Sequence, residues 1–404
     1  MTNLVMRYEE PVPVNHFRRW PFFDHDEIAA VLRVLQSGNV NYWTGEEGRL
    51  FEKEFAASIG VNYAIAVMNG TVALEAALMA LNIGCGDEVI VTPRSYIASV
   101  SCAIMHGAKP IFADVDPVSQ NITAETIEKV ITNRTRAVIP VHLAGWPCEM
   151  DAIMTLAKKY GLMVIEDCAQ ASGACYKGFP IGSFGDAAAF SFCQDKIMTT
   201  GGEGGMVVTN NKEVWSKVWS CKDHGKSYEA VRSSGFKPGP SFKWLHESFG
   251  TNWRMTEMQA AIGRQQLRKL PEWVAIRRRN AMILTEAFSC IKGLRVTIPS
   301  NDIQHSYYKY YVFVRLECLK AGWDRDRIVN AIVARGVPCF SGSCSEIYLE
   351  KAFDDRGLRP VELLPVAREL GETSLMFLVH PTLTEKDMIC VADIVSKVML
   401  EAEK

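Results

Sequence analysis

The feature that most constrains the fold is an alternation of short apolar runs and amphipathic segments between residues 87 and 165. The strand-like runs fall at 88–91, 110–112, 137–140 and 162–165, and the helix-like segments fall at 97–105, 124–131 and 150–159. A strand, a helix and a second strand in succession are typical of parallel β-α units, whose helices cover the sheet. The pattern therefore predicts an α/β fold.

A lysine lies farther along the chain in a polar stretch that ends in several glycines. Lys196 follows the apolar run 187–190 and precedes the strand-like run 206–209, so we expect it on a turn between two strands. Partial burial disfavours the charged form of an amine, and a neutral amine condenses with an aldehyde. Lys196 is therefore a candidate for Schiff-base chemistry. An ordinary surface lysine beside a glycine-rich hairpin is the alternative.

A second candidate follows the buried run 162–165. Asp167 lies at the C-terminal end of this predicted strand, where open α/β sheets bind their ligands. In enzymes that use pyridoxal phosphate (PLP), a carboxylate pairs with the protonated pyridine nitrogen, which keeps the ring an electron sink. Asp167 is a candidate for that carboxylate, and a helix N-cap or a surface acid is the alternative.

The third candidate is a predicted strand-to-helix junction. The run 64–68 resembles a strand, and the following helix begins with the small residues Asn69, Gly70 and Thr71. Backbone amides and the positive end of the helix would face an anion there. The sequence contains neither a Walker-type nor a dinucleotide glycine fingerprint, so a nucleotide is the weaker interpretation of this anion. A plain capped helix is the alternative.

Together these stretches resemble the sugar aminotransferases of the DegT/DnrJ/StrS family, a branch of the fold-type I PLP enzymes in the aspartate aminotransferase superfamily. The resemblance begins near Asn41 and rests on residues 43–45, 69–71, 93–96, 141–145, 166–170, 190–192 with Lys196, and 250–255. It implies a large domain with a mostly parallel seven-stranded sheet, at residues 1–270. It also implies a smaller C-terminal α+β domain, at residues 271–404.

The resemblance implies roles for individual residues around a bound PLP. Lys196 resembles the lysine that binds the cofactor covalently and then moves a proton between the cofactor carbon and the sugar carbon. Asp167 resembles the partner of the pyridinium nitrogen. Gln170 matches the residue that contacts the phenolic oxygen of the cofactor, and Tyr96 matches the aromatic side chain stacked on the pyridine ring.

Other matching positions concern the cofactor phosphate and a second subunit. Gly70, Thr71 and Ser191 match phosphate contacts. Asn252 resembles the asparagine that reaches the phosphate from the neighbouring subunit, which implies a homodimer with shared active sites. A core aromatic is the alternative for Tyr96, and a turn residue is the alternative for Asn252.

The resemblance also separates two reactions, because relatives that dehydrate a sugar carry histidine at the position of Lys196. Lysine favours transamination. We therefore expect a PLP-dependent aminotransferase that moves an amino group from L-glutamate to a keto sugar in the synthesis of lipopolysaccharide or O-antigen. A PLP-dependent sugar dehydratase and a non-catalytic PLP-fold regulator are the alternatives.

Composition agrees with an enzyme that acts on small molecules. At 404 residues the chain exceeds the usual limit of one core, and a net charge of -2 offers no basic face for nucleic acid. Residues 1–13 lack an apolar signal core and no run approaches membrane-spanning length, so we expect a cytoplasmic protein without a membrane partner. The twelve cysteines lack zinc spacing, which predicts reduced thiols and no metal. His142 and His224 are interpreted as core or loop histidines.

Several structural expectations concern the second half of the chain. Residues 227–240 are expected to form a flexible loop near the mouth of the site. Two helices are expected at 256–267 and 273–286, and the charge run 277–279 is expected on a solvated face. The strand at 310–315 alternates partly, which predicts a half-exposed sheet.

The identity of the sugar depends on the segment that follows Gly336. Many relatives bind nucleotide-linked hexoses and carry an aromatic and proline-rich segment there. This chain instead supplies small hydroxyls, thiols and Glu346, with aromatics at Phe340 and Tyr348 and no Lys or Arg between residues 338 and 349. Such a segment suits a neutral polyol better than a diphosphate. One option is an 8-keto-octulosonate, giving 8-amino-3,8-dideoxy-manno-octulosonate; a nucleotide-linked 4-keto-6-deoxy or 3-keto hexose is the alternative.

Overall fold

The structure is a computed structural model, and it describes residues 12–13, 16–233 and 245–404. The helices are α1 His25–Ser37, α2 Glu47–Ile59, α3 Gly70–Ala80, α4 Ala98–Met105, α5 Ala124–Glu128, α6 Met150–Tyr160, α7 Lys212–Lys222, α8 Tyr228–Ser233, α9 Glu257–Phe288, α10 Arg325–Ala334, α11 Pro365–Thr373 and α12 Glu385–Ala402. The strands are β1 Tyr63–Val67, β2 Glu88–Val91, β3 Lys109–Phe112, β4 Thr135–Ile139, β5 Met163–Asp167, β6 Cys175–Tyr176, β7 Phe179–Pro180, β8 Ala187–Ser191, β9 Gly205–Thr209, β10 Leu294–Val296, β11 Ile303–Gln304, β12 Tyr310–Val314, β13 Cys339–Phe340 and β14 Ser374–Phe377.

The larger sheet has seven strands among the described residues, in the order β1-β9-β8-β5-β4-β2-β3. β9 runs antiparallel to both of its neighbours, and the pairs from β8 to β3 are parallel. Apolar side chains pack on both faces; in β1, Ala64 and Ala66 join one core cluster, and Ile65 and Val67 join the other. The predicted α/β fold with a mostly parallel seven-stranded sheet is confirmed.

This topology brings three candidate stretches to one edge of the sheet. The carboxyl ends of parallel strands meet at the same edge, and β1, β5 and β8 all point that way. Asp167 ends β5, Ser191 ends β8, and β1 leads through Asn69 into α3. The local sequence thus forms strands whose ends deliver the site.

The second sheet is antiparallel, with the order β10-β12-β14-β13. The prediction that β12 is half exposed is wrong, because every residue of Tyr310–Val314 is buried. Val312 and Val314 pack in the core of this smaller layer with α9 and α12, and Tyr311 and Phe313 pack against the core of the large sheet. Both faces of β12 are therefore covered.

α9 links the two sheets as one continuous helix, so the prediction of two helices is wrong. Pro271 lies inside it and cannot donate a backbone hydrogen bond, which costs about 3 kcal/mol in a helix interior. Packing offsets this cost, because Ala261 contacts α1 while Ala281 and Phe288 lie in the core with α12. The domain boundary between residues 270 and 271 falls inside this helix and stays a prediction.

The polar stretch at 227–240 differs from its prediction in one part. Residues 228–233 form the helix α8 instead of a loop, and residues 234–240 lie outside the described residues. Tyr228 packs edge-on against Trp215 and Trp219, which supplies the contacts that order this short helix. Among the described helices, none combines the length and the apolar character that crossing a bilayer requires.

Candidate active site

A cavity of about 1060 Å³ opens at the carboxyl edge of the large sheet, with Lys309 and Met376 contributing to its wall from the smaller layer. The predicted site residues in its wall are Gly70, Thr71, Tyr96, Asp167, Gln170, Ser191 and Lys196. Tyr96 is 69% exposed there, so it is not a core aromatic. Asn252 is exposed, forms a strand-like bridge with Asp223, and does not line this cavity.

Asp167 forms the floor of the cavity, at the end of β5. Its Oδ2 accepts a hydrogen bond from the hydroxyl of Ser99 at 2.7 Å, and its Oδ1 accepts one from the backbone N–H of Ala169 at 3.1 Å. Ser99 also lies 2.9 Å from the hydroxyl of Ser95. The carboxylate is thus buried and fixed in position. Neither serine is predicted as a site residue from the sequence, although their four-residue spacing is visible there.

Gln170 is held by its side-chain oxygen. Its Oε1 accepts a hydrogen bond from the backbone N–H of Ala144 at 2.8 Å. Ala144 has a φ of 57°, a left-handed conformation that a non-glycine residue rarely adopts. The strained turn therefore points an N–H at Gln170, and the amide group of Gln170 lines the cavity in a fixed orientation.

Beneath the floor lies a fully buried pair, His142 and Glu166. Glu166 accepts hydrogen bonds from the backbone N–H groups of residues 182, 184 and 185 at 2.8 to 2.9 Å. His142 Nδ1 accepts from the N–H of Cys148, so the proton is on Nε2, which donates to Glu166 at 3.2 Å. Neither residue lines the cavity, and the structure places His142 in the core and His224 in an exposed loop.

The N-terminus of α3 forms one end of the cavity. Asn69 caps this helix by accepting a hydrogen bond from the N–H of Val72 at 2.9 Å. A Cβ atom at Gly70 would lie 2.6 Å from the Cβ of Ser191, so the close approach of β8 to the helix requires glycine. The hydroxyls of Thr71 and Ser191 line the same end, which suits an anion such as a phosphate.

Lys196 lies on the turn after β8, as predicted. Its backbone carbonyl accepts a hydrogen bond from the indole N–H of Trp20 at 2.8 Å, which ties the turn to the N-terminal segment. Its Nζ lies 5.0 Å from the centre of the Tyr308 ring, within cation-π range. The amine therefore reaches the cavity beside a ring from the smaller layer.

A second charged group beside Lys196 was missed from the sequence. The carboxylate of Asp195 accepts a hydrogen bond from the hydroxyl of Tyr308 and lies 3.5 Å from Nζ of Lys309. Burial raises the pKa of Asp195, but the Tyr308 hydrogen bond and the charge of Lys309 outweigh it and hold the pKa below its usual value. Burial lowers the pKa of Lys309. Asp195 could have been suspected from its adjacency to Lys196, whereas no local signal marks Lys309.

Arg277 corrects a further expectation, because it is 1% exposed and does not lie on a solvated helix face. Its Nη1 donates to the backbone carbonyls of Tyr307 and Tyr308 at 3.3 Å. Its Nε and Nη2 have no hydrogen-bond partner within the described part of the chain. Burial lowers the pKa of Arg277 to about 9. The prediction failed because residues 307–308 cover this side of α9.

The segment at residues 339–348 contributes unequally to the cavity. Phe340 and Ser343 line it, as expected for residues that contact a substrate. Glu346 does not; it accepts a hydrogen bond from Tyr348 at 2.7 Å and lines an adjoining cavity of about 430 Å³, which has Ser343 in its wall as well. Tyr348 itself is fully buried. The structure therefore places Ser343, but not Glu346, in the wall of the large cavity.

The donor set of the large cavity fits PLP. A fixed carboxylate at the end of a strand suits a pyridinium nitrogen, and the glycine-lined helix N-terminus suits a phosphate. The amine of Lys196 and the exposed ring of Tyr96 share the same space. These groups match the chemical functions of the cofactor one by one.

Comparison with known proteins agrees with this fit. The family model of the DegT/DnrJ/EryC1/StrS aminotransferase family matches residues 21–396. The chain is 38% identical to GDP-perosamine synthase of Caulobacter vibrioides, covering 91% of this chain and 94% of that protein. It is 35% identical to UDP-N-acetyl-3-dehydro-α-D-glucosamine 3-aminotransferase of Acidithiobacillus ferrooxidans, covering 93% and 94%.

A solved structure is also similar over nearly the whole fold. The X-ray structure of an aminotransferase from Psychrobacter cryohalolentis superposes with a TM-score of 0.93, at 56% identity, and the match covers 95% of this chain and 99% of that one. The expected family, enzyme class and cofactor are confirmed. The chain belongs to the DegT/DnrJ/EryC1/StrS aminotransferase family, and it is a sugar aminotransferase that uses PLP.

Proposed function

We propose that this enzyme transfers the amino group of L-glutamate to a keto sugar destined for a cell-surface glycan. The observation that carries the proposal is the placement of the Lys196 amine and the Asp167 carboxylate in the wall of one cavity. The names of two relatives, a perosamine synthase and a 3-aminotransferase, support a sugar as the amino acceptor.

The chemistry that PLP supplies when bound is an electron sink for the carbanion formed when a C–H bond at the amino-bearing carbon loses its proton. Asp167 would keep the ring nitrogen protonated, and Ser99 and Ala169 hold its carboxylate for that task. Gly70, Thr71 and Ser191 would bind the phosphate at the start of α3. Gln170 would contact the phenolic oxygen, and Tyr96 would stack on the pyridine ring.

Lys196 is proposed as the group that moves a proton between the cofactor carbon and the reacting carbon of each substrate. A general base needs an amine that can lose its proton within reach of the reacting carbon. The turn that carries Lys196 is fixed by Trp20, and its Nζ lies over the Tyr308 ring. This support restricts where the amine can move between the two half-reactions.

For the sugar acceptor we propose an 8-keto-octulosonate, a free sugar acid with several hydroxyls. The small hydroxyl of Ser343 and the ring of Phe340 line the cavity and could contact such a polyol. The nucleotide-linked hexose stays the second candidate, because both named relatives carry a nucleotide in the name of their product or substrate.

An assay with a panel of three keto sugars would distinguish between these acceptors. Release of 2-oxoglutarate from L-glutamate would be measured with an 8-keto-octulosonate, GDP-4-keto-6-deoxymannose and a UDP-3-keto-N-acetylglucosamine. We expect turnover with the octulosonate and poor inhibition by nucleoside diphosphates. Turnover only with a nucleotide-linked sugar would reject the octulosonate and keep the aminotransferase. Sugar dehydration without 2-oxoglutarate would indicate a dehydratase. Only the absence of 2-oxoglutarate release from L-glutamate in the first half-reaction, which needs no sugar, would indicate a regulator.

We also propose a homodimer in which Asn252 reaches the neighbouring active site. Support comes from its exposure and its position outside the cavity of its own chain. Inactive Lys196→Ala and Asn252→Ala subunits would be mixed under conditions that exchange subunits. Hybrids would then contain one site with both defects and one with neither, so activity should partly return. Mixing that restores nothing, despite measured exchange, would place Asn252 in another role.

A further inference from the structure

A second cavity of about 410 Å³ adjoins the active site at the smaller layer. Both cavities have Asp195, Lys309, Phe340 and Leu378 in their walls. Lys309 is 16% exposed and therefore remains reachable at this common wall. Residues 17–20 of the N-terminal segment also line the second cavity, and the indole N–H of Trp20 donates a hydrogen bond to the backbone carbonyl of Lys196. The catalytic turn and this cavity are thus one connected unit.

The charges around the common wall do not balance. Lys309 and the exposed Arg18 and Arg19 line the second cavity, and Asp195 is the one carboxylate in its wall among the described residues. Arg277 adds a fully buried cation nearby, since its field acts on both Asp195 and Lys309. Asp195 already accepts a hydrogen bond from Tyr308. One partly satisfied carboxylate therefore faces several cations.

The excess positive charge indicates a site for an anion, because Arg277 is buried and water cannot stabilise its charge. Among the described residues, two nitrogens of Arg277 are buried without a hydrogen-bond partner, although its guanidinium carbon lies 5.3 Å from the centre of the Trp20 ring. Removing the partner of a buried charge costs about 3 to 5 kcal/mol. His380 cannot contribute more charge, because burial and the neighbouring Arg277 lower its pKa to about 3. A negatively charged group of the substrate would offset this cost. The phosphate of PLP is not that group, since its cradle lies at the start of α3.

We propose that Lys309 is a specificity residue that binds a carboxylate of the substrate at the wall shared by the two cavities. An ammonium has three donors, so Lys309 can keep Asp195 as its anchor and still donate to a second carboxylate. Tyr308 places this amine near the reacting centre, because its ring centre lies 4.6 Å from Nζ of Lys309 and 5.0 Å from Nζ of Lys196.

This inference rests on the proposed function, in which the two substrates occupy the site in turn. L-glutamate carries a carboxylate beside its amino-bearing carbon, and a keto-octulosonate carries one on its sugar chain. Either could be the group that Lys309 binds. The chemistry is the same in both cases, namely a charge-assisted hydrogen bond between an ammonium and a carboxylate.

Equilibrium binding to the PLP-loaded enzyme tests the inference without turnover. Calorimetry would measure the affinities of glutarate, 3-deoxy-D-manno-octulosonate and GDP for the wild type, Lys309→Met and Lys309→Arg. Lys159→Met serves as the matched control, because Lys159 is also ion-paired but lies exposed on α6. We expect Lys309→Met to weaken binding of at least one carboxylate probe by about 10- to 100-fold, as for a lost hydrogen bond between charged groups. Lys309→Arg and the control should retain it.

The probes identify the source of the carboxylate. Weaker binding of glutarate alone assigns Lys309 to the amino donor, weaker binding of the octulosonate alone assigns it to the sugar, and loss of both assigns it to each in turn. Unchanged binding of both carboxylates overturns the inference, as does wild-type enzyme that binds neither, or a loss confined to GDP. Because no reaction is measured, a lack of sugar amination would reject the proposed function and leave this result standing.

Discussion

Two walls of the active-site cavity contrast in how completely their polar groups are satisfied. On the large-sheet wall, Asp167 is fixed by two hydrogen bonds, and the Glu166 beneath it accepts three from the backbone. On the wall from the smaller layer, and within the part of the chain that the structure describes, Arg277 keeps two nitrogens without a hydrogen-bond partner, and Lys309 has one carboxylate nearby, which also accepts a hydrogen bond from Tyr308. One wall is complete in itself, and the other carries excess positive charge.

On the proposed assignment of the site, the difference follows from what each wall would hold. A cofactor that stays bound through every cycle is best served by groups already fixed in place, which need no rearrangement during the reaction. Two substrates that alternate must each enter and leave, so the groups that bind them cannot be saturated by the protein itself. The following variants test this division, in order of decreasing expected effect.

Removing the amine of the complete wall should have the largest effect. Lys196→Ala should reduce turnover to background, because the chain loses both its covalent attachment to PLP and its proton carrier. Borohydride reduction of the wild type should attach the cofactor to the peptide containing Lys196, as measured by mass spectrometry. Label on Lys309 instead would reverse the assignment of the two walls.

Asp167→Asn should keep the fold and cost several orders of magnitude in turnover, since an unprotonated pyridine is a poor electron sink. The matched change at the carboxylate that faces Lys309, Asp195→Asn, should cost only about tenfold, roughly the value of a charged hydrogen bond. Turnover of both variants would be compared at saturating substrate, with circular dichroism as the check on folding. Equal losses would remove the distinction between the walls.

Glu166→Gln should lower stability more than activity, because the neutral amide weakens three buried hydrogen bonds from backbone N–H groups and the one from His142. We expect a loss of about 2 to 4 kcal/mol in the free energy of unfolding, measured with urea. Glu128→Gln is the control; Glu128 is an exposed partner of Lys159, and its loss should cost less than about 1 kcal/mol. A similar small change in both variants would contradict the role of Glu166.

We expect His380, which lines the second cavity, to make the stability of the protein depend on pH. His380 has a pKa of about 3 in the folded protein, below its ordinary value of 6.5, because of burial and then the charge of Arg277. Its contribution to stability is therefore complete above pH 6.5 and declines as the pH falls towards 3, because over this range the histidine binds a proton in the unfolded chain but not in the folded protein.

Between pH 7 and pH 5 this histidine should account for about 2 kcal/mol of lost stability. His380→Gln should remove that part of the loss, and the exposed His25→Gln should not. Urea unfolding at the two pH values gives both quantities. His305, whose pKa burial also lowers to about 3, remains in both variants, so part of the slope should persist. An unchanged slope in His380→Gln would show that its site admits the proton.

The residues that sequence analysis found share one property: each lies in a short stretch with its own local pattern. Asp167 and Ser191 end apolar runs, Gly70 begins a helix, and Lys196 sits in a glycine-closed turn. A strand end or a helix start depends on a few neighbouring residues, so the α/β fold and this wall of the cavity could be predicted from spacing and resemblance.

The second wall depends on packing between distant parts of the chain. Lys309 meets Asp195 across 114 positions (309 minus 195), and Arg277 is buried only because residues 307–308 cover it. Residues 338–349 contain no Lys or Arg, which predicted a wall without cations. Lys309, on the turn before β12, nevertheless lines the same cavity. Continuity of α9 through Pro271 has the same origin, because tertiary contacts outweigh a local preference of about 3 kcal/mol.

The sequence by itself therefore determined an α/β fold through local periodicity, and its contiguous motifs determined the family resemblance, which in turn implied the seven-stranded sheet and the groups suited to PLP. Only the tertiary structure decided which charges line the cavity from the smaller layer. No repeating sequence pattern marks the partner of a charged residue. Its surroundings depend on how the two sheets pack around one cavity. The physical reason is that electrostatic interactions depend on separation and burial in space, neither of which can be read from position in sequence.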